Sequence, residues 1–426
     1  MEKHFVCIVL LWFVAAASAQ KTPLSIKDVD STTYALFLKQ DWKPIITLGK
    51  QSIAEGVDFY YLKVRIGIAY FKENKMFSAI QFLEEAYALD PKNVVVQDYL
   101  YWAYRYSGLE MESRLFYSKM SKALKDEIKL DLPVVSSISF NVLAANNLDY
   151  DTQLKSNANG QTDHFRIIPE KYEMYSLGMS HPISKGLNLF HQFTLVPANS
   201  VKQTNIGSVL QNETYKVMEY RYYGDVTIAL GNRWYLDTYL NAIFGDYDNL
   251  NTVTSDSKIK YNNMVFGGAI TKASYLIKSS INMSVSNLNG FNQFQMGYAM
   301  SVYPLGSTSV VPFGSIQYKS QDSESNMVFT AGLAVTLNKI ALTGFGTVGN
   351  MNNFIANNGA IVYNQPATAL NEFGGSFKYF GKHLVLKVSY SFMNMESNYY
   401  DGNFEIISKT FEFNQQNITA AITWVL

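Results

Sequence analysis

Hydrophobic and polar residues alternate with a period of two in successive segments between residues 132 and 426. One of these segments places Met327, Phe329 and Leu333 in one phase and Thr330 and Thr336 in the other. This period is typical of strands whose two faces meet different surroundings. The runs are about 10 to 16 residues long, whereas strands of soluble domains usually have about five or six and a bilayer-crossing strand needs ~9–11. The pattern therefore favours membrane-crossing strands.

These segments predict an antiparallel outer-membrane barrel of about fourteen strands. The predicted strands cover residues 134–145, 170–181, 187–196, 213–230, 233–247, 259–272, 275–288, 291–303, 309–320, 326–338, 340–349, 368–380, 384–396 and 410–426. Connections after even-numbered strands are short, whereas several after odd-numbered strands are long and polar: 146–169, 197–212, 248–258, 350–367 and 397–409. This asymmetry is typical of outer-membrane barrels, whose short turns face the periplasm. An even strand number also places both ends of the barrel on that side.

A soluble, secreted β-sandwich or solenoid is the alternative for the same strands. Such a fold would need a protein core against the second face of each strand, and it does not explain the regular difference in loop length. A closed barrel pairs every backbone N–H and C=O in hydrocarbon without leaving an edge. We therefore predict that residues 131–426 form a transmembrane β-barrel.

The residues before Asp131 differ, because Ala, Leu, Lys and Glu recur there at helical spacing. We predict a helical domain over residues 20–130, with three helix-turn-helix units over about 26–126. One unit follows the pattern of a tetratricopeptide repeat at Gly67, Tyr70, Ala79, Leu83, Ala86 and Pro91. Lys63 departs from it, since an aromatic residue usually lies four positions before the glycine. Stacked repeats form a groove that commonly holds a peptide or helix, which predicts a periplasmic protein or cargo as partner. A generic helical-hairpin domain is the alternative.

Residues 1–19 have the pattern of a secretory signal peptide. Lys3 is followed by an apolar run from Phe5 to Val14 and by Ala17-Ser18-Ala19, an A-x-A cleavage site. A buried N-terminal helix is the alternative. Cleavage would remove Cys7, the single cysteine of the sequence. The remaining chain would then have no thiol chemistry in an oxidising compartment.

Composition excludes several classes of protein. The 35 basic and 35 acidic residues give a net charge of zero, which argues against a nucleic-acid partner. Charged residues make up 16% and hydrophobic residues 48% of the chain, a balance that argues against disorder. Beyond residue 19 the sequence has no run of eighteen apolar residues, so membrane-spanning helices are not expected.

The last residues form an apolar stripe that resembles an insertion signal for the outer-membrane barrel-insertion machinery. The stripe consists of Ile418, Ala420, Ile422, Trp424 and Leu426. Most such signals end on Phe or Trp, whereas here the aromatic residue comes two places earlier. The repeat pattern from Gly67 to Pro91, the barrel and this stripe together resemble the YaiO family of outer-membrane β-barrel proteins. That resemblance implies helical repeats in the periplasm before a barrel among outer-membrane lipids, and it implies location more than activity.

The sequence offers no pattern for catalysis. Lipid-hydrolysing barrels commonly place a nucleophilic serine two residues after a histidine on one strand face. The residues at this spacing after His164, His181, His191 and His383 are Arg, Ile, Phe and Val. Isolated histidines without cysteine predict no metal site, and we expect no cofactor. His191 has the phase of neighbouring apolar residues, which predicts that it faces lipid or a neighbouring chain.

Charged residues in the polar phase are predicted to face the lumen, because bilayer-depth charges are tolerated only toward the interior or water. These candidates are Glu219, Arg221, Asp225, Arg233, Asp237, Lys278, Glu372, Lys378 and Lys387. Their mixed signs favour a cross-linked, narrow lumen, with a substrate-lining role as the alternative. The asparagine-rich segment 350–367 is long enough to fold inward or to cover the mouth of the barrel.

The leading functional hypothesis is a non-enzymatic outer-membrane barrel that passes, or assists export of, envelope material, with polysaccharide favoured. Its helical repeats would dock a periplasmic partner or guide the cargo. A non-conducting structural or assembly scaffold is the first alternative. A lipid- or glycan-modifying enzyme is the second, and the histidine survey argues against it.

Overall fold

The computed structural model describes residues 24–156, 164–206, 209–249, 258–322, 324–401 and 405–426, and the predicted signal peptide lies outside these ranges. The chain divides into two compact units between Ala103 and Tyr104. The helices before the first strand are α1 (Ile26–Leu38), α2 (Trp42–Ala54), α3 (Tyr60–Lys72), α4 (Met76–Leu89), α5 (Val94–Tyr106), α6 (Glu110–Tyr117) and α7 (Lys122–Ile128). Residues 104–128, which the composition assigns to the helical region, thus belong to the second unit.

The first unit packs at the positions that the repeat pattern marks. Ala79, Leu83 and Ala86 are completely buried on α4, and Tyr70 on α3 is buried as well. A β-carbon built on Gly67 would lie 2.7 Å from Cγ of Leu83, so only glycine allows this approach of α3 to α4. Helix α4 ends at Leu89, two residues before Pro91. These contacts are those of a tetratricopeptide-like helix pair.

Lys63 occupies the position where the repeat pattern has an aromatic residue, and the structure explains this departure. Its ammonium group lies 2.7 Å from carboxylate oxygens of both Asp58 and Glu85. The side chain of Lys63 is mostly buried, so these two ion pairs replace the packing of an aromatic ring between α3 and α4.

The second unit is a closed antiparallel barrel of fourteen strands, as predicted, with a two-stranded hairpin in one connection. The strands are β1 (Ser137–Asn147), β2 (Phe165–Ser184), β3 (Leu187–Ile206), β4 (Val209–Gly231), β5 (Trp234–Asp248), β6 (Lys258–Ala273), β7 (Ile277–Ser286), β8 (Gln293–Val302), β9 (Val310–Gln321), β10 (Glu324–Leu337), β11 (Ile340–Val348), β12 (Phe354–Ala356), β13 (Ile361–Tyr363), β14 (Thr368–Phe380), β15 (Leu384–Tyr400) and β16 (Ile406–Val425). Strand β1 closes the barrel by pairing with β16, for example Phe140 with Ile422.

Three segments that were predicted as loops are partly strand, so their predicted bounds were wrong. Residues 197–206 and 209–212 extend β3 and β4, which pair up to Ile206 and Val209. Strands β2 and β15 likewise extend into the predicted loops 146–169 and 397–409. Apolar and polar residues are mixed in these extensions, and cross-strand pairing identifies them as strands. A short helix, α8 (Tyr150–Lys155), and the hairpin β12–β13 were not predicted.

The barrel turns a continuous apolar belt outward. On β15, Val388 is 53% exposed, and on β6, Phe266 is 60% exposed. The terminal stripe also faces outward, with Trp424 53% exposed. Soluble monomers rarely expose apolar surface on this scale, whereas hydrocarbon covers it in a membrane barrel. Among the described residues, no helix combines the length and apolar character needed to cross a membrane.

Helix α6 packs on the short-turn rim of the barrel. The backbone N–H of Arg233 in the β4–β5 turn donates a 2.9 Å hydrogen bond to Oε1 of Glu112. In the β2–β3 turn, Lys185 donates to the hydroxyl of Ser118 at 2.9 Å, and its ammonium group lies over the ring of Tyr117. These contacts explain why residues 104–128 form one unit with the barrel.

Candidate functional site in the barrel lumen

Residues 349–367, between β11 and β14, fold into the lumen, and we name this segment the plug. Its core is the hairpin β12–β13, in which Phe354 pairs with Tyr363 and Ile355 pairs with Val362. Ile355 and Val362 are buried against wall residues that include Tyr223 and Ile243. The asparagine-rich segment 350–367 was predicted either to fold inward or to cover the mouth of the barrel, and it folds inward.

Lumen side chains hold the tip of the plug by its backbone. Nδ2 of Asn241 donates to the carbonyl of Gly359 at 2.8 Å, and the hydroxyl of Tyr223 donates to the carbonyl of Asn358 at 2.9 Å. Asn357, Asn358 and Gly359 all have positive φ, which asparagine and glycine adopt most readily. The asparagines of this segment therefore build its tight turn.

A second set of bonds holds β12 and the residues before it. Gln295 on β8 donates to the carbonyl of Ile355 at 2.6 Å and accepts from its backbone N–H at 3.1 Å. Lys319 on β9 donates to the carbonyl of Asn352. Wall side chains thereby satisfy backbone groups of the plug that pairing within its hairpin leaves free.

Two of the predicted lumen residues, Glu219 and Arg221, form a polar network with plug residue Asn364. Arg221 contacts Glu219 and donates to Oδ1 of Asn364 at 2.8 Å. Asn364 in turn donates to Oε2 of Glu219 at 2.8 Å, and the hydroxyl of Tyr261 donates to the same oxygen at 2.8 Å. Each buried charge thus has a partner and further hydrogen bonds, the condition under which buried ion pairs are tolerated.

The opposite side of the plug is apolar. Met351 and Phe354 belong to a buried cluster with Met393 and Met395 of β15, and the cluster extends to Ile168 of β2. Glu372 on β14 adds one polar tie, since it accepts a 2.9 Å hydrogen bond from the hydroxyl of Tyr363. Apolar packing and side-chain hydrogen bonds thus both hold the plug.

The other lumen candidates lie away from the plug. Asp225 and Asp237 share Thr227, whose hydroxyl donates to Asp237 at 2.8 Å and to Asp225 at 3.3 Å. Lys378 and Lys387 are direct partners across β14 and β15. Like charges placed directly opposite each other destabilise a sheet.

Lys278 and Arg233 complete the predicted set, and only the first lies on a strand face. Lys278 has the phase of the buried Ser284 on β7, opposite to the exposed Met283. Arg233 was predicted on β5, but it lies in the β4–β5 turn with a φ of 62°. Its guanidinium lies 4.3 Å from the ring centroid of Tyr275. The predicted strand began at Arg233, whereas β5 begins at Trp234, because Asn232 and Arg233 form the turn.

A cavity of about 1450 Å³ lies inside the long-loop half of the barrel. Plug residues Asn352 and Asn364 contribute to its lining, as do Glu219, Arg221 and Tyr261. Asparagine is the commonest residue of this lining, and several tyrosines accompany it. The plug and the wall therefore border a large chamber lined by amide, aromatic and charged groups.

Sequence reasoning missed the neutral members of this site, Asn241, Tyr261, Gln295 and Asn364. The predicted lumen residues are all charged, whereas most bonds to the plug come from amides and tyrosines. The inward phase of Asn241 and Gln295 was a usable signal. Nothing in the sequence shows that Asn364, in a loop, reaches Glu219.

Two of the histidines, His181 and His191, are paired on the barrel wall. Nε2 of His181 and Nε2 of His191 are 3.1 Å apart, and Nδ1 of His181 lies 2.8 Å from the carbonyl of Val134. The ring of His191 also contacts Phe193, which is 59% exposed on the outer face. Within the described ranges, no group of three or more His, Cys, Asp or Glu could hold a metal ion.

Comparisons with known proteins give structural likenesses at low sequence identity. No protein-family model and no curated protein matches the chain. The toluene transporter TodX of P. putida is 8% identical, with a TM-score of 0.44 over 69% of this chain and 91% of that one. A FadL homologue of Pseudomonas aeruginosa is 6% identical, with a TM-score of 0.40 over 68% and 90%. The Sgt2 TPR domain of Aspergillus fumigatus is 18% identical, with a TM-score of 0.22 over 26% of this chain and 79% of that one.

Proposed function

We propose that this chain is a non-enzymatic outer-membrane barrel that passes envelope material through its lumen, with polysaccharide as the favoured cargo. The observation that carries the proposal is the 1450 Å³ chamber inside the barrel, closed by a plug that belongs to a single loop. A loop held at both ends between β11 and β14 can leave the lumen without unfolding the wall. The apolar belt, which hydrocarbon would cover, supports the membrane location.

The lining of the chamber supports a saccharide as cargo. Amide side chains offer both donors and acceptors to hydroxyl groups, and aromatic rings give flat apolar surfaces for the faces of sugar rings. Asn263 and Asn364 supply such amides, and Tyr215 and Tyr247 supply such rings.

A transport assay tests this function. Proteoliposomes would be loaded with fluorescently labelled maltoheptaose, and its release would be compared between the full chain and a variant in which a Gly-Ser linker replaces residues 351–366. We expect the variant to release the saccharide at least tenfold faster. Equal release from both proteins would contradict passage through the lumen.

We further propose that the helical repeats dock a periplasmic protein or guide the cargo, as the groove of stacked repeats commonly does. Deleting residues 24–103 removes the first unit but keeps residues 104–128, which contact the barrel turns. The shortened protein should insert normally and lose export in cells. Unchanged export would refute a docking role.

A non-conducting scaffold of the outer membrane is the second candidate, and the many bonds between plug and wall favour it. It predicts that neither the full chain nor the variant without residues 351–366 supports export, while loss of the barrel weakens the envelope. The layout of helical repeats before a barrel also supports the proposed kinship with the YaiO family.

A further inference from the structure

The hairpin of β2 and β3 brings three metal-ligating side chains together on the outer face of the barrel. Met179 and His181 lie two residues apart on β2, and Met179 is the register partner of His191 on β3. All three share the phase of Leu177 and Phe193, which are 45% and 59% exposed. Because side chains alternate between the two faces of a strand, the three side chains point away from the lumen.

The two imidazole rings are arranged as a pair of metal ligands. Nε2 of His181 lies 3.1 Å from Nε2 of His191. At metal–nitrogen distances of about 2.0–2.1 Å, this separation corresponds to an angle of about 95–102° at a bound ion. Such an angle lies between the right angle of octahedral sites and the tetrahedral angle. An ion can therefore replace the contact between the two nitrogens after a small rotation of the rings.

A backbone carbonyl fixes the tautomer of His181. Nδ1 of this ring lies 2.8 Å from the carbonyl oxygen of Val134. A carbonyl oxygen only accepts, so Nδ1 carries the proton and Nε2 of the neutral ring carries the lone pair. Metal-ligating histidines usually donate their other N–H in this way, which fixes the orientation of the ring. Without metal, Nε2 of His191 donates to this lone pair, and on metal binding its proton passes to Nδ1 of His191 by exchange with water.

Aromatic rings and paired strands hold His191 in place. The ring centroids of Phe193 and Tyr222 lie 6.3 and 6.2 Å from that of His191, and both rings meet it edge to face. Phe193 and Tyr222 also contact each other, with centroids 5.0 Å apart. Strands β2, β3 and β4 are paired side by side in the wall. The ligands are therefore positioned on a rigid scaffold before an ion binds.

Met179 decides which metal the group prefers. The β-carbons of cross-strand partners lie about 4.5–5.5 Å apart, and the flexible methionine side chain can carry its sulfur across that distance toward the imidazole rings. Imidazole suits zinc, copper and nickel ions, whereas a soft thioether sulfur selects Cu(I). Among the residues that the structure describes, His, Cys, Asp and Glu give the two histidines no third ligand. The methionine sulfur therefore completes the set.

We propose that Met179, His181 and His191 bind one copper(I) ion on the outer wall of the barrel. His181 lies three residues before β2 ends at Ser184, so the site is close to the short-turn rim. The sequence predicts no metal site because its histidines are isolated along the chain, and the pairing of β2 with β3 brings two of them together. The site lies apart from the chamber and does not depend on the proposed transport function.

Copper binding to the full chain in detergent micelles tests this site. Cys7→Ser is introduced first, because it removes the single thiol of the sequence. The affinity for Cu(I) is measured without oxygen by competition with bicinchoninate, and X-ray absorption at the copper edge identifies the ligand atoms. We expect one Cu(I) per chain with two nitrogen neighbours and one sulfur neighbour. Absence of binding, or a spectrum without sulfur, would overturn the inference, and neither result requires a variant of the site.

Two variants each remove one ligand while keeping a side chain of similar size. His191→Gln and Met179→Leu should each weaken the binding of Cu(I) at least tenfold. Met179→Leu should change the affinity for Ni²⁺ less than twofold, because nickel would use the imidazole rings alone. Loss of Cu(I) binding in His191→Gln but not in Met179→Leu would overturn the assignment of copper(I).

Matched controls change the same residue types elsewhere on the barrel. His383 is exposed in the β14–β15 turn, and Met296 is 42% exposed on the outer face of β8. His383→Gln and Met296→Leu should change the affinity for Cu(I) less than twofold. Resistance of the barrel to sodium dodecyl sulfate without heating shows that each variant is folded. Equal weakening in the controls and in the site variants would overturn the site.

Discussion

Asn364 of the plug donates a 2.8 Å hydrogen bond to Glu219 of the wall, and both residues are more than nine-tenths buried. Glu219 also accepts from Tyr261 and pairs with Arg221. This carboxylate of β4 thereby links the plug to Tyr261 on β6, the strand on the other side of β5. Loss of this network should therefore lower the free energy of unfolding and weaken the attachment of the plug.

Replacing Glu219 by alanine should loosen the plug. The substitution leaves Arg221 without its ion-pair partner in a buried site, which typically costs about 3–5 kcal/mol. We expect a lower urea midpoint and more frequent open events in planar-bilayer recordings. Glu213→Ala is the control, since Glu213 lies on the same strand but is exposed. If both variants behave alike, the network does not hold the plug.

Gly359→Ala should displace the tip of the plug. Gly359 has a φ of 83°, and a β-carbon there would lie 2.4 Å from Cδ2 of Tyr239. Strain and clash together should raise the open probability of the barrel at least fivefold in single-channel recordings. Gly344→Ala is the matched control, because a β-carbon on Gly344 has no heavy atom within 4 Å. Closed recordings from Gly359→Ala would contradict the placement of this turn.

Gly67→Val should weaken the first unit without affecting the barrel. The new side chain would overlap Leu83, and overpacking of this kind costs about 1–3 kcal/mol. The helical signal at 222 nm should melt at a lower temperature, while the barrel keeps its resistance to denaturation by detergent. Lys50→Val adds the same β-branched residue at an exposed helical position and should have a smaller effect. Equal melting curves for the two variants would contradict the close approach of α3 to α4.

Substitution by arginine should lower the stability of the barrel by different amounts at two neighbouring residues of β15. Val388 faces outward, whereas Ser389 lies in the phase of Lys387 and faces the lumen. A lipid-facing arginine near the bilayer midplane costs about 2–4 kcal/mol, and a lumen-facing one costs far less. Reversible unfolding from phospholipid vesicles measures this difference. Equal destabilisation by Val388→Arg and Ser389→Arg would mean that lipid does not cover the belt.

The barrel could be predicted from the sequence, because alternation with a period of two indicates strands with one apolar and one polar face. Strand β10 is an example, with Phe329 and Leu333 outward as its phase predicts. Likewise, Gly67 and Leu83 lie where α3 and α4 approach closely, a contact that the repeat pattern predicts. These features depend on residues close together in the chain.

The features that decide function depend instead on distant partners. The bond between Asn364 and Glu219 joins residues 145 positions apart, and the one between Asp149 and Asn414 spans 265. No local pattern encodes such contacts. Helix α8 was also invisible, because a six-residue helix has too few turns to show a period, and Arg166 stabilises it from outside.

Single-channel conductance tests the central claim most directly, since that claim is a sealed barrel whose lumen is closed by its own loop. The full chain and the variant lacking residues 351–366 would be compared in planar bilayers at the same voltage and salt. We predict long closed periods for the full chain and a stable open conductance for the variant. Identical recordings from the two proteins, whether silent or open, would contradict the account.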